Sequence, residues 1–232
     1  MFFKIFILVF LFFSTNIHAY NTFHPEVDPE LNEENIWVNT AFDKKATNVR
    51  TSFRAWMPHE AKILWPIMID TNNWKNISKD YNDSRALDEG MAKLLENKQP
   101  QDIKELYKLI GDKKITSDHG RLTDGKWTSY ALQRFAFPFP LKDRWTVIKI
   151  KNDESSSSKS YYRYDYKMIV SNFKKLEGYW ELTPIPNKPG WTEWRGYYES
   201  DPGINIPHFL AKSIYRSSLK KSAETYSKVA SP

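Results

Sequence analysis

The sequence predicts an α+β fold in which a curved antiparallel sheet wraps around one long C-terminal helix. Three observations lead there. From Arg121 onward, segments of alternating polarity follow one another, separated by turn-forming residues. The longest uninterrupted helical pattern comes last, over Ile206 to Val229. Aromatic residues make up 16% of the chain and crowd into the predicted strands, so one sheet face needs an apolar cover. A chain of 232 residues that is 41% hydrophobic can bury one such core. The net charge of +6 is spread among interleaved acids, with no arginine-rich stripe, which argues against a nucleic-acid partner.

The first residues read as a targeting segment. Lys4 gives a positive start, Ile5 to Phe13 is an apolar run too short to span a bilayer, and Ile17-His18-Ala19 resembles a cleavage site. A signal peptide over 1–19 is expected, followed by a polar extended leader over 20–47 and a folded domain over 48–230. Export without any cysteine points to a periplasmic, or otherwise secreted, protein. Lack of cysteine also excludes a thiol nucleophile and a zinc ribbon.

The elements follow in order. Ile36 to Phe42 is a short strand or turn. Asn48 to Met57 alternates, with Val49, Thr51, Phe53 and Ala55 opposite Arg50, Ser52, Arg54 and Trp56, as a half-buried strand does. Pro58 ends it, and a short helix runs to Ile69, strained at Pro66. Asp70 to Trp74 is a turn placed to cap the next short helix. Ser84 to Gly111 reads as a helical pair interrupted at Pro100, with Leu87, Met91, Leu94 and Leu95 and then Ile103, Leu106, Tyr107 and Ile110 at helical spacing. Strands are expected over Trp127–Phe137, Arg144–Lys151, Tyr161–Ser171, Glu177–Ile185 and Trp191–Ser200, joined by hairpins. In the final helix Ile206, Phe209, Leu210, Ile214 and Leu219 or Ala223 form the predicted apolar stripe.

Three segments in this order resemble a known pattern. Pro138-Phe139-Pro140-Leu141-Lys142-Asp143-Arg144 is similar to a P-W-P-L-x-x-R-D turn, with Phe for Trp and Trp145 at the last position. Gly178-Tyr179-Trp180-Glu181-Leu182-Thr183-Pro184 is similar to G-x-W-x-L-x-P. Asp201-Pro202-Gly203-Ile204-Asn205-Ile206-Pro207-His208-Phe209-Leu210 is similar to D-P-G-G-x-I-P-x-W-L. Together they resemble a START-like domain of the SRPBCC superfamily, the helix-grip fold. The pair at about 84–111 has no counterpart in that pattern and stands as a helical insertion. The resemblance implies a pocket between sheet and final helix that holds a lipid, fatty acid or sterol-like molecule, without a cofactor.

The candidate ligand-binding residues are Trp127, Arg134, Tyr164, Tyr166, Trp180 and Trp194 on the strands, and Phe209, Leu210 and Ile214 on the helix. The aromatic residues offer apolar faces with polar tips. An inward Arg134 would hold an anionic group, and an inward Arg54 likewise. Asp143 and Arg144 are expected to tie down their turn. The four histidines beyond the targeting segment are scattered and the second member of a zincin pair is missing, since Ile63 stands there, so no metal site is predicted. No nucleophile elbow, P-loop or dinucleotide motif is present, and no catalytic residue is assigned. The expectation is a hydrophobic small molecule or lipid as partner, with transient contact with a membrane surface. Two other readings stay open: an enzyme of the same fold, a cyclase or hydrolase using Tyr164 or Arg134, and an interaction domain whose pocket is filled by its own aromatics.

Overall fold

The structure is a computed structural model that describes residues 36–43, 48–113, 115–137, 143–204 and 206–231. The expected signal peptide, the leader up to residue 35, and Pro138 to Lys142 of the first motif lie outside the described residues.

Eight strands form one antiparallel sheet: β1 (Ile36–Phe42), β2 (Val49–Met57), β3 (Tyr81–Leu87), β4 (Lys126–Phe135), β5 (Arg144–Asp153), β6 (Tyr162–Ser171), β7 (Lys175–Pro184) and β8 (Thr192–Asp201). Their spatial order is β1-β2-β8-β7-β6-β5-β4-β3. The last six form a meander that brings β8 back beside β2. Five helices accompany the sheet: α1 (Ala61–Ile69), α2 (Trp74–Ile77), α3 (Glu89–Lys98), α4 (Ile103–Ile110) and α5 (His208–Ala230). The α+β helix-grip architecture is therefore present, with α5 packed on β1, β2, α1 and α2.

Two boundaries differ from the sequence reading. The leader ends earlier than residue 47, because Ile36 and Val38 bury their side chains in the core and β1 pairs with β2 along its whole length. The expected helix from Ser84 begins only at Glu89, because Tyr81–Leu87 pairs with β4 as an edge strand. Its sequence, Tyr-Asn-Asp-Ser-Arg-Ala-Leu, has no β-branched residue, and polar character is how exposed edges avoid further pairing. Asp88 then caps α3 by accepting from the Met91 N–H at 2.7 Å, and Asp102 caps α4 by accepting from Lys104 and Glu105. Pro66 is tolerated inside α1. The carbonyl it leaves without a donor belongs to Lys62, and both residues are exposed. Asn73 makes no side-chain cap on α2; Asn72 instead reaches the Ile115 carbonyl and the Ala86 N–H.

The helix pair α3–α4 covers the outer face of the β3–β6 half of the sheet. Leu95, Leu106 and Ile110 pack there on Leu87, Leu132, Trp145, Val147 and Val170. A bulge serves this packing: Val147 pairs with Val170 but Ile148 pairs with Met168, so the extra residue turns Val170 outward. Asp83 ties β3 to α4 by accepting from the Tyr107 hydroxyl at 2.9 Å, and it pairs with Lys75 and Arg85. Burial pushes its carboxyl up, but hydrogen bonds from Lys75 and Tyr107 and the nearby Arg85 outweigh this and hold it below the usual range.

The inner face carries the main core. Rings run through it in contact: Trp65 on Tyr162 at 5.3 Å, Tyr164 on Trp180 at 5.4 Å, Trp180 on Trp194 at 5.0 Å, and Trp194 on Tyr226 of α5 at 5.4 Å. Two glycines make room for them. Gly196 lies between Phe53 and Trp180 in register, and Gly178 between Tyr166 and Tyr198. A Cβ at Gly196 would stand 2.6 Å from the Tyr179 carbonyl and 2.8 Å from the rings of Phe53 and Trp180. Gly196→Ala is accordingly expected to lower stability by about 1–3 kcal/mol, measured by urea unfolding. An unchanged midpoint would show that the strands separate freely.

Candidate ligand-binding site

A cavity of about 160 Å³ lies between the inner face and α5. Its floor is Ile148, Tyr164, Tyr166, Leu176, Trp180 and Trp194 from β5 to β8. One wall is α5, through Ala211, Ile214, Tyr215, Ser218, Leu219 and Ser222. The other comes from Trp74, Ser78, Asp80 and Tyr81 before and in β3, and from Gln133, Phe135, Ala136 and Phe137 at and just beyond the end of β4. Phe173 in the β6–β7 turn, Tyr198 and Ser200 of β8, and Ile206 ahead of α5 complete it.

Alternation decides which strand residues take part. Tyr164 and Tyr166 lie on the inward side of β6, opposite Trp180 and Gly178 of β7. Of the sequence candidates, Tyr164, Tyr166, Trp180, Trp194 and Ile214 line the cavity; Trp127, Arg134, Phe209 and Leu210 do not. Trp127 faces inward but stands eight residues along β4 from Phe135, about 26 Å at 3.3 Å per residue. There its ring lies under Arg121, 5.8 Å away. Arg134 has the opposite parity, so it lies on the outer face and pairs with Asp143 at 2.8 Å. Asp143 also accepts from Asn82, which ties the start of β5 to β3. Arg54 is likewise on the outer face, where its Nε lies 3.5 Å from Glu193.

On α5 the inward stripe keeps Ile214, Leu219 and Ala223 of the predicted one, while Phe209 and Leu210 fall outside it. The residues facing the sheet are Ala211, Leu219, Ala223 and Tyr226, with Ser218 and Ser222 beside them. Phe209 is 78% exposed and Leu210 37%. Ala211, Ser218 and Ser222 give this wall small side chains beside the larger Ile214, Tyr215 and Leu219. The third motif also takes part directly, through Ile206. Just before it, Asp201 accepts from the N–H of Gly203, whose φ of 70° suits glycine.

Sequence reasoning missed Gln133, Phe135, Tyr198 and Tyr81. The first two follow from Trp127 by strict alternation along β4. The tyrosine hydroxyls of the interior are neutral. Burial raises the hydroxyls of Tyr164, Tyr166 and Tyr198 well above the usual tyrosine range, so they remain protonated. Tyr215 and Ser200 bond to each other at 3.0 Å. Among the described lining residues, Asp80 alone carries a charge.

Solved structures share this fold. A STAR-related lipid transfer protein from Xanthomonas axonopodis superposes with a TM-score of 0.57 at 13% identity, covering 85% of this chain and 94% of that one. Human StAR-related lipid transfer protein 5 gives 0.53 at 8% identity, over 84% and 82% of the two chains. Human STARD10 gives 0.52 at 12% identity, over 84% and 70%. The fold is START-like. No family model matches the sequence, and no curated protein matches it. Within the START-like frame, the helix pair α3–α4 lies on the outer sheet face, away from the cavity.

Proposed function

We propose that the protein binds and carries a hydrophobic small molecule in the cavity under α5. The observation that carries this reading is the cavity itself, walled by aromatic and aliphatic side chains with few polar groups. Its presence also speaks against a pocket filled by its own aromatics. The START-like neighbours named as lipid transfer proteins support it. Size narrows the ligand. An apolar cavity of about 150 Å³ admits benzene, whereas drug-sized sites run to about 300–1,000 Å³. A cavity of about 160 Å³ therefore suits one ring or a stretch of one acyl chain, and a sterol needs α5 to shift.

A series of straight-chain alcohols tests this, with the fluorescence of Trp180 and Trp194 as readout. Each buried methylene contributes about 0.8 kcal/mol, or about fourfold in affinity. Affinity is expected to climb by about that factor per carbon and then level off when the cavity is full. No binding at any length would overturn the reading.

We also propose that the chain is exported to the periplasm or beyond and meets membranes through the start of α5. Support for export is the Lys4 to Ala19 segment; intact-mass measurement of the protein from its native cells should give a chain beginning at Tyr20, and a retained Met1 would refute it. Support for membrane contact is the exposure of Phe209 and Leu210 close to Ile206 at the cavity, with Lys212 exposed beside them on a chain of net charge +6. The double variant Phe209→Ala, Leu210→Ala should bind anionic vesicles at least about tenfold more weakly, with stability within about 0.5 kcal/mol of the parent. Unchanged vesicle sedimentation would remove these residues from the contact.

A further inference from the structure

The cavity has a polar corner, and its chemistry is one-sided. Asp80 sits between α2 and β3, half-buried, with its main-chain carbonyl accepting from the Ala136 N–H at 2.7 Å. Its Oδ2 accepts from the Ser78 hydroxyl at 3.0 Å and from the Ser218 hydroxyl of α5. An ionised carboxylate accepts and never donates. Both serine protons are thus committed to Asp80. What the three side chains still offer is acceptor capacity: Oδ1 and the free lone pairs of the two hydroxyls. No lysine or arginine pairs with Asp80 among the described residues.

We infer that the ligand carries a primary ammonium group, seated against Asp80, Ser78 and Ser218, with its apolar body among Tyr164, Tyr166 and Trp180. This rests on the proposed binding function and names the ligand class for the same cavity. An ammonium supplies three N–H donors and a positive charge, which matches an acceptor-only corner around one carboxylate. An alcohol supplies one donor and no charge. A fatty acid anion brings like charge to a partly desolvated carboxylate, which is unfavourable. The surroundings do not supply the missing charge, since the tyrosine hydroxyls are neutral. The corner lies on the more exposed side of the cavity, while Tyr164 and Trp194 are almost fully buried, so the ligand enters tail first.

Octylamine, octanol and octanoate at neutral pH test this on the purified protein, by tryptophan fluorescence and calorimetry. Octylamine is expected to bind about tenfold or more tighter than octanol, and octanoate weakest. In Asp80→Asn, which preserves shape and the serine contacts, the amine preference should vanish while octanol affinity stays within about twofold. Ser218→Ala, which keeps the carboxylate, should retain most of the preference and so guards against a folding defect in the first variant. Equal affinity for the three in the parent protein, or an amine preference that survives Asp80→Asn, overturns the inference and leaves the cavity as an apolar site. Failure of all three to bind overturns the binding function with it.

Discussion

At Gly178 a Cβ would lie 2.3 Å from the Tyr197 carbonyl, and at Gly196 one would lie 2.6 Å from that of Tyr179. The two strands approach each other there because both positions lack a side chain. Everything under α5 depends on this. The inner face must carry Phe53, Tyr164, Tyr166, Trp180, Trp194 and Tyr198, and rings of that size cannot stand side by side on every strand. Glycine beside an aromatic in two of the rows lets a ring lean over its neighbour, giving edge-to-face contacts such as Phe53 on Trp194 at 4.7 Å. The rings tile the floor and leave space above it.

The two faces of the sheet divide the work. The outer face holds charge: Glu181 pairs with Arg163 and Arg195, and Glu193 lies between Arg54 and Trp56. Further along, that face is dried by α3 and α4. The inner face keeps its charged groups to the ends of the core. At one end Glu154 is buried against the Trp65 indole N–H and Arg121, which closes the core below Trp127. At the other is Asp80, inside the cavity wall. A buried carboxylate needs partners. Glu154 has a guanidinium and Asp80 has only hydroxyls, and that difference separates a structural acid from one left available.

Much of the sheet was legible because strands with one apolar face repeat every two residues. β2, β5, β6, β7 and β8 begin and end close to where alternation places them. β3 was not legible: an edge strand stabilised by Asp83 reaching α4 has no hydrophobic alternation, and its last residues merge into the helical period of Leu87, Met91 and Leu95. Only the start of the inward face of α5 was misread. Phe209 and Leu210 are the most apolar residues there, yet Ala211 is the one buried, while Leu219 and Ala223 further along face the sheet as predicted. The role of Asp80 was invisible, since its partner Ser218 is 138 positions away and nothing local sets it apart from the other acids.

The central claim is that an accessible apolar space persists between the aromatic floor and α5. A crystal pressurised with xenon tests it most directly, because xenon enters dry cavities of this size. The account predicts a xenon site bounded by Tyr164, Tyr166, Trp180 and Leu219. A floor whose tryptophan rings have swung up against α5, leaving no xenon site, would contradict it.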